Sequence, residues 1–181
     1  MMLTTRQAWI LWAGLVLLVC APSTGATPPG RAPIEPQLQL LRVHADNPKP
    51  GPVEAVLDGR QPALVTTFAT WCKPCNKEVP TLNKLARESA GRGLRVVAIS
   101  LDEKPPFAVS HWMKDRKVSY PVYYADIPVR QGRSILRDVS MMPTTTLLSR
   151  RGNILRKWLG VVPESALRAA IQPLLRPKKV E

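Results

Sequence analysis

The feature that most constrains this chain is a pair of cysteines set where a strand gives way to a helix. Ala63–Phe68 (ALVTTF) is apolar and β-branched, which is the composition of a buried strand. Asn76–Ser89 carries Val79, Leu82, Leu85 and Ala86 on a helical repeat. Between the two lies Trp71-Cys72-Lys73-Pro74-Cys75, so the CxxC pair stands at a helix N-terminus. Exposed backbone N–H groups and partial positive charge at that end stabilise a thiolate on Cys72, and Lys73 adds a cation. Such surroundings lower a thiol pKa from about 8.5 into the range of roughly 3.5–7.5. The spacing predicts Cys72 as an exposed nucleophile and Cys75, one turn inside the helix, as a buried resolving thiol. Attack of Cys72 on a disulfide would give a mixed disulfide, which Cys75 then cleaves.

The cysteine count narrows the alternatives. Three cysteines in 181 residues are too few for a disulfide-stapled scaffold or a four-cysteine zinc site. Zinc at Cys72 and Cys75 would need two further ligands, and neither His44 nor His111 stands at a ligand spacing. A purely structural disulfide across two residues closes too small a loop to stabilise much. Redox chemistry is favoured, with no metal or cofactor implied.

The third cysteine, Cys20, sits in another context. Ala8–Ala21 is a run of fourteen residues without a charge, preceded only by Arg6. The run is short of the about 20 apolar residues that span a bilayer, and it fits a secretory signal. Residues 1–26 are therefore expected to be a signal peptide or an N-terminal membrane anchor, cleaved, retained or lipidated at Cys20. Residues 27–37 read as a proline-rich linker, 38–177 as one domain and 178–181 as a basic tail. Eight of the 19 prolines fall between Pro22 and Pro52, a stretch expected to sustain neither a helix nor a central strand.

The formal net charge of +13 suits a nucleic-acid binder or a protein near an anionic surface. No aromatic-interleaved basic motif is present and the leader points to export, so no nucleic-acid partner is expected. Residues 130–181 carry 11 Lys+Arg against 3 Asp+Glu, a bias toward an anionic membrane surface or an acidic partner.

Trp71-Cys72-Lys73-Pro74-Cys75-Asn76-Lys77-Glu78-Val79-Pro80 resembles the WCxPCxxExP signature of TlpA-like and ResA-like proteins, extracytoplasmic thiol–disulfide oxidoreductases of the thioredoxin superfamily. Met141-Met142-Pro143-Thr144 is similar to the family's cis-proline loop, and Gly152 and Gly160 match its hairpin and strand-end glycines. The resemblance covers about residues 38–175. It implies a thioredoxin-like α/β fold: a central mixed sheet flanked by helices, with a βα insertion between the CxxC helix and the cis-proline loop. It implies a redox disulfide Cys72–Cys75, catalytic roles for Cys72, Cys75, Glu78 and Pro143, and substrate contacts from Trp71, Lys73, Pro74, Met142 and Thr144. Partners would be protein thiols and disulfides, such as apocytochrome c or copper-site proteins, with a membrane thiol donor as reductant. Two departures stand out. Thr66 occupies the position of thioredoxin's buried aspartate, and Ser149 replaces an aspartate after the post-proline strand. Glu78, three residues past Cys75 on the same helical face, would take the Cys75 proton; the plainer expectation for it is a solvated glutamate pairing with Lys77 or Lys84.

The remaining segments read as strands at 53–57, 94–101, 120–124, 144–148 and 154–159, and as helices at 106–117, 127–139 and 164–175. The leading function is a periplasmic thiol–disulfide oxidoreductase, most simply a reductant. The alternatives are a copper-binding chaperone using the same thiols and a thiol peroxidase on the same fold.

Overall fold

The computed structural model describes residues 38–47, 49–103 and 106–177. The leader, linker and basic tail expected from the sequence lie outside the described residues. The described strands form one seven-stranded sheet in the order β2-β1-β5-β4-β3-β6-β7. β3 (Ala63–Phe68) is an inner strand, every residue of which is buried. β3 pairs in parallel with β4 (Arg95–Ser100) and antiparallel with β6 (Thr144–Leu148). β5 (Val122–Tyr124) runs parallel to β4, and β7 (Ile154–Leu159) closes one edge against β6. β3 and β4 are near-continuous Val/Ile/Ala/Thr runs because both of their faces are covered.

The pleat sorts these strands between two cores. Leu64 and Phe68 of β3 face a cluster built with α1 (Lys73–Ser89), α2 (Pro106–Asp115) and α4 (Glu164–Ile171). Ala63 and Val65 face a second cluster holding Leu38, Val56, Val129, Leu136 and Val139. Thr66 is buried in β3 and accepts a 3.2 Å hydrogen bond from the Thr145 hydroxyl, directly opposite on β6. A buried threonine pair thus links β3 and β6 at this position.

Three expectations are corrected. β1 (Gln39–Val43) lies within the proline-rich stretch and yet is an inner strand, antiparallel to β2 (Val53–Ala55) on one side and β5 on the other. It fits in the proline-free interval from Gln37 to Asn47, so its backbone donors are intact. The helix expected over 127–139 ends after one turn: α3 covers Ile127–Arg130, capped by the Asp126 carboxylate on the Val129 N–H. Gly132 and Arg137 have φ of 67° and 57°, left-handed values that no helix continues through. Leu136 and Val139 still reach the core from this irregular segment. The last helix also stops early, giving way to a 3-10 turn at Gln172–Leu174. Ser149 holds the β6–β7 hairpin by accepting from the Arg151 and Asn153 N–H groups.

Candidate active site

β3 delivers the chain to the redox pair. Past Phe68, the Cys72 N–H donates to the Ala69 carbonyl at 3.0 Å, closing a turn that brings Cys72 to the N-cap of α1. Pro74 sits in the first turn, where its missing N–H has no intrahelical role and its fixed φ suits the helix. Cys72 Sγ accepts from the Cys75 N–H at 3.2 Å, so the sulfur holds the position a serine or aspartate commonly takes at a cap. The two cysteines are joined in a disulfide, with Cα atoms 5.3 Å apart. Cys72 is not the exposed partner expected from the sequence: it is 5% exposed and Cys75 4%. Both sulfurs belong to the cluster of Phe68, Ala69 and Val79, with Met142 packed against it. What separates them is the helix end: only Cys72 receives an N–H of the first turn.

Glu78 lies one turn beyond Cys75 and is 4% exposed. It makes no surface pair with Lys77 or Lys84; Lys84 bridges to Glu164 at 2.9 Å instead. Its Oε1 accepts from the Val162 N–H at 2.8 Å, while its buried Oε2 has no partner among the described residues. Burial pushes the Glu78 carboxyl above the ordinary carboxylate value, against a smaller lowering by the Val162 N–H. Tyr120 is buried nearby, and its phenol is pushed up by burial and by the charge of Glu78.

The Met142–Pro143 peptide is cis. Pro143 is buried, and its carbonyl accepts from the Gly160 N–H at 2.7 Å, tying the loop to the end of β7. Gly160 has φ of 78°, a value that L side chains rarely adopt. Thr144 is wholly buried and donates to the Met141 carbonyl at 2.5 Å, so it braces the loop from beneath. Trp71, at 70% exposed, and Met141, at 52%, are open to solvent, as are Lys73 and Pro74.

Three further residues shape the site beyond those the sequence assigned to it. Asp102, just past the end of β4, is buried; its carboxylate accepts from the Thr70 N–H at 3.0 Å, the Thr70 hydroxyl at 2.6 Å and the Ser100 hydroxyl at 2.7 Å. It clamps the loop two residues before Cys72. Arg130 holds the same corner, donating to the Leu101 and Asp102 carbonyls at 2.5 and 2.6 Å. Trp112 of α2 stacks on Phe68, with centroids 4.3 Å apart, and donates to Asn76 Oδ1 at 2.7 Å, next to Cys75. A carboxylate just past the carboxyl end of a parallel strand was the available signal for Asp102. For Trp112 there was none. Among the described residues no three His, Cys, Asp or Glu side chains gather as metal ligands.

Residues 36–171 match the Redoxin family. The chain is 28% identical over 109 residues to the thiol-disulfide oxidoreductase ResA of Bacillus cereus, covering 59% of this chain and 60% of that protein. To ResA of Bacillus subtilis it is 31% identical over 102 residues, covering 55% and 54%. It thus spans a little over half the length of these curated relatives. The crystal structure of a thioredoxin-family thiol:disulfide interchange protein from Chlorobium tepidum shares its fold, with a TM-score of 0.60 and 26% identity over 75% of this chain and 92% of that one. With the cis-proline loop and the CxxC-capped helix in one sheet, the chain belongs to the Redoxin family, as a TlpA/ResA-like member of the thioredoxin superfamily.

Proposed function

We propose that the protein is a periplasmic thiol–disulfide oxidoreductase that reduces disulfides in partner proteins. The observation that carries this reading is the Cys72–Cys75 disulfide at the N-cap of α1 with the buried carboxyl of Glu78 one turn behind it. In the reduced state the Cys72 thiolate attacks one sulfur of the partner disulfide. A mixed disulfide forms and the partner's other sulfur leaves as a thiolate. Cys75 then loses its proton to Glu78 and attacks Cys72 Sγ. The internal disulfide forms, the second partner thiol is released, and two electrons have passed to the partner. A membrane dithiol donor resets the pair. The raised Glu78 pKa suits this role, because a base titrating nearer neutrality both takes and returns a proton readily. The apolar run Ala8–Ala21 is consistent with export, and haem-binding cysteines of apocytochrome c or cysteines of copper sites are the substrates to test first.

The deciding experiment uses Cys75→Ser, which stops resolution and holds partners as mixed disulfides on Cys72. Recovery of a small set of cytochrome c or copper-site proteins is expected; a broad mixture overturns the specific-reductant reading. Equilibration of the native pair with glutathione should give a potential well below that of a strong oxidant at about −120 mV. A value near that figure overturns the direction of electron flow.

A further inference from the structure

At the end of the sheet opposite the disulfide, strand termini surround a cavity of about 470 Å³. Pro62 precedes β3 there, Gly93 lies before β4, and Ser149 follows β6. The six residues of β3, at about 3.3 Å each, set this hollow roughly 20 Å from the CxxC loop. Arg60, Arg150 and Arg176 line it, and all three are exposed. Their guanidinium groups have no hydrogen-bond, ion-pair or ring partner among the described residues. This sets them apart from Arg42, Arg95, Arg130 and Arg168, each engaged with a carboxylate, carbonyl or phenol.

The cavity is held in shape at its C-terminal side. The Arg176 N–H donates to the Arg92 carbonyl at 2.8 Å, and Arg92 Nε donates back to the Arg176 carbonyl at 2.9 Å. The Arg176 side chain lies across Gly93, where a Cβ would stand 3.2 Å from its Nε; Gly93 also has φ of 82°. Asp58, the acidic residue of the adjoining hollow, accepts from the Arg60 backbone N–H and stands 4.0 Å from Arg95. Beside the arginines, Leu155, which is 50% exposed, and Leu174 form an apolar wall.

Three like charges in one hollow repel one another, and an anion relieves that repulsion. Arginine forks match phosphate oxygens two at a time, and they do so best where water is partly displaced. The apolar wall suits a ligand that carries hydrocarbon beside its phosphate. We propose that Arg60, Arg150 and Arg176 form an anion pocket for the phosphodiester headgroup of an anionic membrane lipid, seating the domain on a lipid surface with its CxxC end turned away.

The test uses the full chain and vesicles of phosphatidylcholine with or without phosphatidylglycerol. The pure phosphatidylcholine vesicles read any contribution of the leader, which all variants share. The triple variant R60Q/R150Q/R176Q should bind phosphatidylglycerol vesicles roughly a hundredfold more weakly at low salt. R87Q/R116Q/R137Q removes the same charge from exposed arginines elsewhere and should cost no more than a few-fold. Inorganic phosphate replacing chloride at equal ionic strength should displace the wild type from vesicles. Equal losses in both triples overturn the pocket in favour of diffuse charge, and unchanged binding by the first triple overturns it outright. Phosphate-induced thermal stabilisation that the first triple abolishes while keeping its vesicle affinity overturns the lipid assignment.

Discussion

Helix α1 carries two glutamates ten residues apart that meet opposite physical demands. Glu78 is buried, has one oxygen without a partner and is pushed toward its neutral form. Glu88 is partly exposed, and Arg168 grips both of its oxygens, at 2.5 and 2.9 Å, holding its carboxyl below the ordinary value. The second arrangement satisfies a charge where water already helps. The first withholds water and leaves a lone pair open beside the redox pair. A carboxylate kept that way destabilises the fold; in the proposed mechanism its position one turn from Cys75 gives the destabilisation a use.

Exchange kinetics sharpen this contrast most. Glu78→Gln keeps the shape and the acceptor for Val162 N–H but cannot take a proton. Resolution of the mixed disulfide, followed by stopped-flow Trp fluorescence, should slow by roughly a hundredfold, within the range for a lost general base. Glu88→Gln should leave that rate unchanged. If both variants slow the step equally, the two ends of α1 do not differ in function and Glu78 is only a packing residue.

The next effect concerns the loop that feeds α1. Asp102→Ala strands the Thr70 N–H, the Thr70 hydroxyl and the Ser100 hydroxyl, and should cost about 1–3 kcal/mol in urea unfolding. Thr70→Val removes one of those bonds and should cost about 1 kcal/mol. The double variant should lose less than the sum, because both changes break one shared contact. The alkylation rate of Cys72 in the reduced protein should also change in Asp102→Ala, since the loop sets where the N-cap sulfur sits. A full sum with unaltered alkylation would mean that Asp102 supports β4 alone.

Why was Glu78 legible from sequence when Asp102 was not? Cys75 and Glu78 share a helix, so spacing alone puts them on one face. Thr70 and Asp102 are 32 residues apart and meet only because β3 and β4 pair in parallel register. The inner position of β1 was hidden for the same reason: its partners Val53–Ala55 and Val122–Tyr124 are tertiary neighbours. The strand–CxxC–helix core read clearly because each signal was local and all agreed. The burial of Cys72 did not, since it depends on Phe68 and Met142, which arrive from two sides.

Opposite pKa shifts give the two glutamates opposite pH signatures. Glu78 has a folded-state pKa above its unfolded one, so its neutral form stabilises the fold at low pH. That contribution is lost as pH rises from the ordinary carboxylate value through the folded pKa. Glu78→Gln should therefore flatten the fall in stability on the alkaline side of pH 4.5 and be the more stable protein at pH 7. Glu88 has a depressed folded pKa; its contribution is present above the unfolded pKa and lost as pH falls through the folded one. Urea midpoints measured across pH 3–8 on both Gln variants separate the two slopes. Slopes of the same sign would remove the distinction drawn between them.

The smallest effect belongs to the distal end of the helix. Arg168 joins Glu88 of α1 to Glu164 of its own helix, and Lys84 completes the group from α1. The Arg168–Glu164 pair is spaced i,i+4, and Glu164 stands in the first turn of α4, where a negative charge also meets the helix dipole. These groups face water, so the attraction is screened and long side chains must be ordered to form it. Arg168→Gln should lower the thermal midpoint only slightly at low salt. The difference should vanish at about 0.5 M NaCl, where screening acts within a few ångströms. A loss that survives high salt would mean that the Arg168 side chain contributes more than its charge.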